Sequence, residues 1–278
     1  MCDTCGCNIT SGNKHLIKPG GKLSLASNGK TSITVLKNLM TENDDVAKHN
    51  RDHFDKNNVL AINLMSSPGS GKTALLEATI QKLKNTFRIA VIEGDLETEN
   101  DADRIRKQGV PAVQIQTGSA CHLDAHMVHG AVHGLNLSEL DIVFIENVGN
   151  LVCPASFDLG QHLNVTLLSV TEGDDKPSKY PVMFRAADLM LLTKTDLLDV
   201  LDDFDTSKAE HNLRQLASVA PVFNLSARRG DGVSTWINWL KQQYQAQLER
   251  VENGESLKPA IQPDGVQLHN PDPHQARL

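Results

Sequence analysis

The sequence predicts an α/β fold: a mostly parallel sheet with helices on both faces, carrying flexible N- and C-terminal segments. Two observations predict it. Short apolar segments alternate with helical stretches from about residue 59 to about residue 250, as strands joined by helical crossovers do. The first segment runs straight into SSPGSGKTALLEATI, a glycine-rich turn between strand and helix. Composition suits such a fold, with 40% of the 278 residues hydrophobic and 22% charged. A formal net charge of -7 argues against nucleic acid as a partner. No apolar run approaches the ~20 residues that span a bilayer, and no basic and apolar leader opens the chain. The cytoplasm is therefore expected, with no membrane partner and with thiols kept reduced. Five cysteines, an odd count, point to metal or redox chemistry rather than a closed disulfide framework.

Taken in order, the chain begins MCDTCGC, which gathers Cys2, Cys5 and Cys7 into residues 1–7. Residues 8–35 are polar and rich in Gly, Lys, Ser and Asn, the composition of a flexible tether. From about Leu36 to Asn57 the apolar positions Leu36, Leu39, Met40, Val46 and Phe54 describe a helix. Seven strand-like segments follow: VLAINLM (59–65), RIAVIEG (88–94), AVQIQTG (112–118), DIVFIEN (141–147), VTLLSVTEG (165–173), DLMLLTK (188–194) and PVFNLSA (221–227). Residues 36–251 thus form one domain. After about Glu252 the chain carries four prolines and almost no large apolar residues, which reads as a disordered tail, 252–278.

Gly69, Ser70, Gly71, Lys72, Thr73 and Ala74 lie where a P-loop requires them. Backbone N–H groups there wrap phosphates, Lys72 reaches the terminal ones, and Thr73 ligates Mg²⁺. The strict pattern asks for Gly at 66, and the chain has Ser66. The competing reading is a plain strand-to-helix turn. Two acidic strand ends follow. Asp95 and Glu146 can complete the Mg²⁺ shell or orient an attacking water, although Asp95 also suits a helix N-cap. In TKTD, Asp196 can accept both the N1–H and the 2-amino N–H of guanine, a pair of donors that adenine lacks, while Lys194 lies along the ring. Ser226 and Ala227 close the last strand in NLSARRGDG. P-loop, TKTD and SA in this order resemble the guanine-specific GTPases.

Two clusters carry metal-ligating residue types. Cys2, Cys5 and Cys7 offer three thiolates; removal of Met1 would add an α-amine, making a square-planar set suited to Ni²⁺ rather than tetrahedral Zn²⁺. The competing reading is an unstructured thiol-rich end. Cys121 and His122 follow a strand, at the expected start of a helix, where a thiol is activated. Cys153 follows Glu146 by one short loop. In a parallel sheet both segments emerge at the carboxyl edge, beside the nucleotide. Buried inert cysteines are the alternative. His126, His129 and His133 continue the expected helix at spacings of three and four, on the face of His122. His126 is a candidate additional ligand; His129 and His133 read as a solvated face.

NDDVAKHNRDHF, VLAINLMSSPGSGKTALLE, VIEGDLETENDADRI, TGSACHLDAHM, FIENVGNLVCPASFDLG, SVTEGDDKPSKYP and LLTKTDLL together resemble the HypB family of hydrogenase nickel-incorporation GTPases, from about residue 36 to about residue 250. CDTCGC adds that family's N-terminal motif. The resemblance implies a SIMIBI-class P-loop G domain that hydrolyses GTP, dimerises on GTP binding and helps deliver Ni²⁺ to [NiFe]-hydrogenase precursors with a HypA-like partner. It implies that Cys121, His122 and Cys153 are metal ligands, and a cofactor set of GTP/GDP, Mg²⁺, Ni²⁺ and Zn²⁺. The competing functions are a metal-buffering or storage protein with nucleotide-driven dimerisation, a urease-type nickel GTPase, and an ATP-using kinase, which TKTD disfavours.

Overall fold

The computed structural model describes residues 30–95, 100–118, 120–216 and 218–256, with side chains from Met40 onward. The N-terminal cysteines, most of the expected tether and the tail beyond 256 lie outside the described residues. Among the described residues, no helix is long and apolar enough to cross a membrane.

The elements follow the alternation expected. Helix α1 (Lys30–Lys56) leads into β1 (Leu60–Ser66), α2 (Lys72–Leu83), β2 (Ile89–Asp95) and α3 (Asn100–Arg106). Then come β3 (Ala112–Gln116), α4 (Ala125–Val132), β4 (Ile142–Glu146) and β5 (Leu163–Ser169). The short helices α5 (Lys176–Lys179) and α6 (Pro181–Arg185) precede β6 (Leu189–Thr193), α7 (Thr206–Arg214), β7 (Val222–Asn224) and α8 (Val233–Glu252). The seven strands form one sheet in the order β3-β2-β4-β1-β5-β6-β7, and every pairing is parallel. Parallel strands need crossovers, and these place helices on both faces, so central strands are apolar throughout.

One face packs Ile62, Leu64, Phe144 and Val165 under α2 and α8, through Leu76, Ile80, Trp236 and Leu240. The other packs Ala61, Ile92, Val143 and Ile145 under α1 and α4, through Phe54, Val128 and Val132. Each fully buried Leu, Ile or Phe side chain contributes about 1.5–3 kcal/mol against exposure. Trp236 keeps its one polar atom satisfied, Nε1 donating to Thr79 Oγ1 at 2.9 Å.

Helix α1 is docked by buried polar groups. Arg51 pairs with Asp158 at 2.7 Å. Asn43 Nδ2 donates to the Asp158 carbonyl and its Oδ1 accepts from Ala125 N. Gly160, at φ 91°, lies so close that a Cβ would sit 2.5 Å from the Ala47 carbonyl.

Strands β3 and β7 end early, at Gln116 and Asn224, so Ser226 and Ala227 lie past the last strand instead of closing it, and three other boundaries differ more instructively from expectation. Helix α1 begins at Lys30 rather than near Leu36, because neither Gly nor Pro interrupts the chain between them. Strand β5 is Leu163–Ser169, not 165–173; Glu172 folds back to accept from Ser169 N and closes a turn. Helix α4 starts at Ala125, capped by Asp124, whose Oδ1 accepts from Met127 N at 2.8 Å. Cys121 and His122 therefore belong to the preceding loop, and His122 shares no helix face with His126, His129 and His133.

Candidate functional site

The turn after β1 sits where the strand order reverses, with β4 on one side and β5 on the other, the place where open parallel sheets bind ligands. Gly69 and Gly71 both take positive φ, 77° and 95°, which a side chain would strain. Lys72 is buried, and its Nζ donates to Ser66 Oγ at 3.1 Å. The serine at the position where the strict motif has glycine thus holds the lysine in place.

Thr73 Oγ1 donates to Glu146 Oε1 at 2.9 Å. Opposite stands Glu93, the register partner of Glu146 on neighbouring strands β2 and β4. Ligand oxygens of Glu93, Asp101 and Glu146 lie within 4.8 Å of one another, and Arg104 holds Asp101 at 2.8 Å. Glu93 Oε2 and Glu146 Oε2 are buried without a hydrogen-bond partner. Burial, then the charge of Glu146, pushes the Glu93 carboxyl up to about 11. Burial also raises Glu146, against the opposing pull of Lys72. Orphaned carboxylate oxygens beside a P-loop threonine form an all-oxygen donor set that fits Mg²⁺. Asp95 ends β2 and lines the same cavity, of about 370 Å³, without joining the three clustered carboxylates.

A second cavity, of about 270 Å³, adjoins the first and shares Gly71 and Ala74 with it. Ser70, Lys194, Asp196 and Ala227 also line it. Thr193 Oγ1 donates to the Ser70 carbonyl at 2.7 Å, tying the end of β6 to the P-loop. Lys194 adopts φ 57°, and its Cε passes 4.0 Å from where a Gly71 Cβ would be. Ser226 Oγ donates to Asp196 Oδ1 at 2.7 Å. That bond, opposed by slight desolvation, holds the Asp196 carboxyl below its ordinary range. The groove joins the P-loop end to an end carrying an ionised carboxylate. A larger cleft, about 460 Å³, is lined by Arg88, Pro111 and Leu140 and carries none of these groups.

Beside the phosphate end, ligand atoms of Cys121, His122 and Cys153 lie within 4.8 Å of one another. Both cysteines are free thiols, half-buried. Cys121 Sγ is 3.8 Å from His122 Nδ1. His122 is buried and stacks on Phe157, ring centroids 4.0 Å apart. Burial lowers its pKa, against the pull of Asp124, and favours the neutral imidazole that ligates metals. Two cysteine sulfurs and one imidazole supply three donors to a tetrahedral ion and would leave a fourth position open, as in sites that exchange ligands.

The loop after β4 connects the two ends. A Cβ on Gly149 would meet the Pro68 backbone at 2.8 Å. Asn147 Oδ1 accepts from Leu123 N, and Asn150 Nδ2 donates to the Cys121 carbonyl. His126 is not in the thiolate cluster; it lies near enough to His129 to depress that residue's pKa, behind burial and three other histidines. Reading the sequence missed Glu93 and Asp101, and also His49 and His53, which stand beside His129 and His133.

Residues 60–224 match the model of the CobW/HypB/UreG nucleotide-binding domain. The chain is 52% identical over 211 residues to the hydrogenase maturation factor HypB of Azotobacter vinelandii, covering 76% of this chain and 69% of the relative. It is 52% identical over 205 residues to that of Escherichia coli K12, covering 74% and 70%. Among solved structures, HypB from Helicobacter pylori in complex with nickel superposes at a TM-score of 0.71 with 42% identity, over 77% of this chain and 98% of that one. HypB from Archaeoglobus fulgidus gives 0.69 with 37% identity, over 73% and 99%.

Proposed function

The chain belongs to the CobW/HypB/UreG nucleotide-binding family and, within it, to the hydrogenase maturation factors HypB, and from that membership we propose that it is a GTP-hydrolysing carrier that delivers Ni²⁺ to [NiFe]-hydrogenase precursors. The observation that carries the reading is the single loop, from Glu146 to Cys153, running from the carboxylate beside the P-loop to the thiolate cluster.

In this reading GTP lies in the groove with guanine at Asp196, Lys194, Ser226 and Ala227. The phosphates rest on the N–H groups of residues 69–74, and Lys72 neutralises the terminal ones. Thr73, Glu93, Asp101 and Glu146 hold Mg²⁺, which when bound supplies charge neutralisation on the phosphate oxygens. Asp95 faces the phosphate cavity and orients the attacking water. Hydrolysis moves the loop after β4 through its contact with Pro68, and Cys153 shifts relative to Cys121 and His122. Ni²⁺ is the cargo of that site and Zn²⁺ its competitor, since both accept thiolate and imidazole. Residues 1–7 form a second Ni²⁺ site on the tether. A homodimer formed on GTP binding, a HypA-like nickel donor and the hydrogenase large-subunit precursor are the partners, met in the cytoplasm where thiols stay reduced. Relatives from Helicobacter pylori carry the name hydrogenase/urease maturation factor at 42% identity, so a urease precursor is the second candidate recipient.

The test is a Ni²⁺ titration of the full chain bearing Cys2→Ser, Cys5→Ser and Cys7→Ser, with GDP and then with a non-hydrolysable GTP analogue. The two affinities should differ by about 5- to 150-fold. Equal affinities would make the thiolate cluster structural and overturn the proposal.

A further inference from the structure

Away from both sites, two helices present paired histidines to each other. His49 and His53 are four apart on α1; His129 of α4 and His133, the helical C-cap just past its end, are likewise four apart, so each pair shares one helix face. The Nε2 atoms of His49 and His53 are 3.0 Å apart, and those of His129 and His133 are 3.1 Å apart. Across the interface, ring centroids are separated by 5.2 Å for His49 and His129, 6.1 Å for His53 and His129, and 6.4 Å for His53 and His133. Two nitrogens on one ion, each at about 2.0–2.1 Å, stand about 2.9 Å apart at a right angle and about 3.4 Å apart at the tetrahedral angle. Each pair therefore already has the spacing of a chelate.

One of the four is oriented from behind. Asn50 is fully buried. Its Nδ2 donates to the carbonyls of Ala125 and Leu159, at 2.9 and 3.0 Å. With both amide hydrogens engaged, the Oδ1 that faces His129 Nδ1 at 2.9 Å can only accept. His129 must then carry its proton on Nδ1, and its Nε2 is a bare lone pair aimed at the cluster. A buried acceptor on the far nitrogen is how metal-ligating histidines are held. A merely solvated histidine face needs no such support. Asn43 and Asn50 of α1 also tie it directly to the first residue of α4, through the N–H and the carbonyl of Ala125. The four ligand nitrogens are not yet gathered within 4.8 Å of one another; rotation of the exposed His49 and His133 rings would bring the two pairs onto one centre.

We propose that His49, His53, His129 and His133 form a divalent transition-metal site between α1 and α4, separate from the thiolate cluster. Four imidazoles and no thiolate select borderline cations, Ni²⁺, Co²⁺, Cu²⁺ or Zn²⁺, over Mg²⁺ or Ca²⁺. An ion there would pin α1 to the helix that follows the Cys121–His122 loop. The proposal requires neither nucleotide binding nor the nickel-delivery reading.

The experiment compares the full chain with its His49→Gln/His133→Gln variant, both changes at exposed positions. Co²⁺ binding is followed by equilibrium dialysis with metal analysis and by absorption. The variant should bind one equivalent fewer, while thiolate-to-cobalt absorption stays the same. The full chain carrying Cys121→Ala and Cys153→Ala should retain that equivalent. Equal Co²⁺ stoichiometry in the parent and the His49→Gln/His133→Gln variant would overturn the site. A readout in the unmodified chain guards against a misfolded variant: once the thiolates are filled, one further equivalent of Zn²⁺ should shift the imidazole CH resonances of all four histidines together. Resonances that stay in place would refute the site. Loss of cobalt–thiolate absorption on adding Cys121→Ala and Cys153→Ala to the chain already carrying Cys2→Ser, Cys5→Ser and Cys7→Ser tests the thiolate cluster alone, so the two readings fail separately.

Discussion

Glu93 and Glu146 face each other across neighbouring strands, each with a buried oxygen that lacks a partner. Burial and mutual repulsion leave the pair holding a proton at neutral pH when no cation is bound. The sign of the pH effect follows. A carboxyl raised in the folded state, against about 4.3 in the unfolded chain, contributes most stability at low pH. It loses that contribution as pH climbs from there towards about 11. Without nucleotide or Mg²⁺, stability should therefore fall between pH 5.5 and 8.5, by at most about 1.4 kcal/mol per pH unit for one proton. Glu93→Gln should flatten that slope, as read from urea midpoints; an unchanged slope would clear Glu93 of the effect. Asp196 is a simpler case. Its carboxylate is lowered by the Ser226 bond, and only an acceptor matches the two guanine donors. Asp196→Asn should weaken GTP at least about a hundredfold, since a site built on buried hydrogen bonds discriminates strongly. It should improve binding of xanthosine triphosphate, whose 2-oxo group needs a donor. Retained GTP affinity in a binding titration would dismiss the guanine assignment. Asp196 was legible in the sequence because TKTD is contiguous and ends an apolar strand. Glu93 was not, because its role depends on β2 lying beside β4, and strand order is a property of the folded sheet.

At the scale of elements, period and punctuation in the sequence located every strand. Placement failed where side chains, not backbone pattern, decide an end. Asp124 rather than the Cys121–His122 stretch caps α4, and the Glu172 side chain ends β5. The histidine pairing of α1 with α4 was illegible for the same reason as Glu93, since its four residues come from two distant stretches. What brings those helices together is the buried polar seam of α1, and Gly160 tests how tight it is. Gly160 combines φ 91° with backbone contacts at Ala47 and Arg51. Gly160→Ala should thus incur both left-handed strain and overpacking, together about 2–4 kcal/mol. Urea unfolding of the full chain reads this directly; a loss below about 1 kcal/mol would mean that α1 rides loosely on the sheet.

For the whole molecule, the sheet brings three chemistries to one edge. The P-loop leaves β1, the clustered carboxylates come from β2, α3 and the end of β4, and the Cys121, His122 and Cys153 cluster stands on the segments after β3 and β4. Gly149 against Pro68, Asn147 to Leu123 and Asn150 to Cys121 make the connection continuous. In the proposed reading this packed contact has two discrete arrangements, and a change at the phosphates would reach Cys121 and Cys153 as a discrete shift. Linkage then requires reciprocity: whatever factor GTP analogue and GDP impose on Ni²⁺ affinity, Ni²⁺ must impose on their relative affinities. With the N-terminal cysteines replaced by serine, saturating Ni²⁺ should change the ratio of analogue to GDP affinity by the factor measured in the metal titration, about 5- to 150-fold. Cys153→Ala removes one of the three clustered donor groups without touching the P-loop, and Cys153 lines neither cavity beside that loop. It should leave GDP affinity within about twofold and bring the Ni²⁺ effect on the ratio to one. Nucleotide titrations with and without Ni²⁺, at fixed protein concentration so that dimerisation does not mask the effect, measure all four corners. A nickel effect that persists in Cys153→Ala would place the coupling elsewhere on the chain, and the loop after β4 would lose its role as the link.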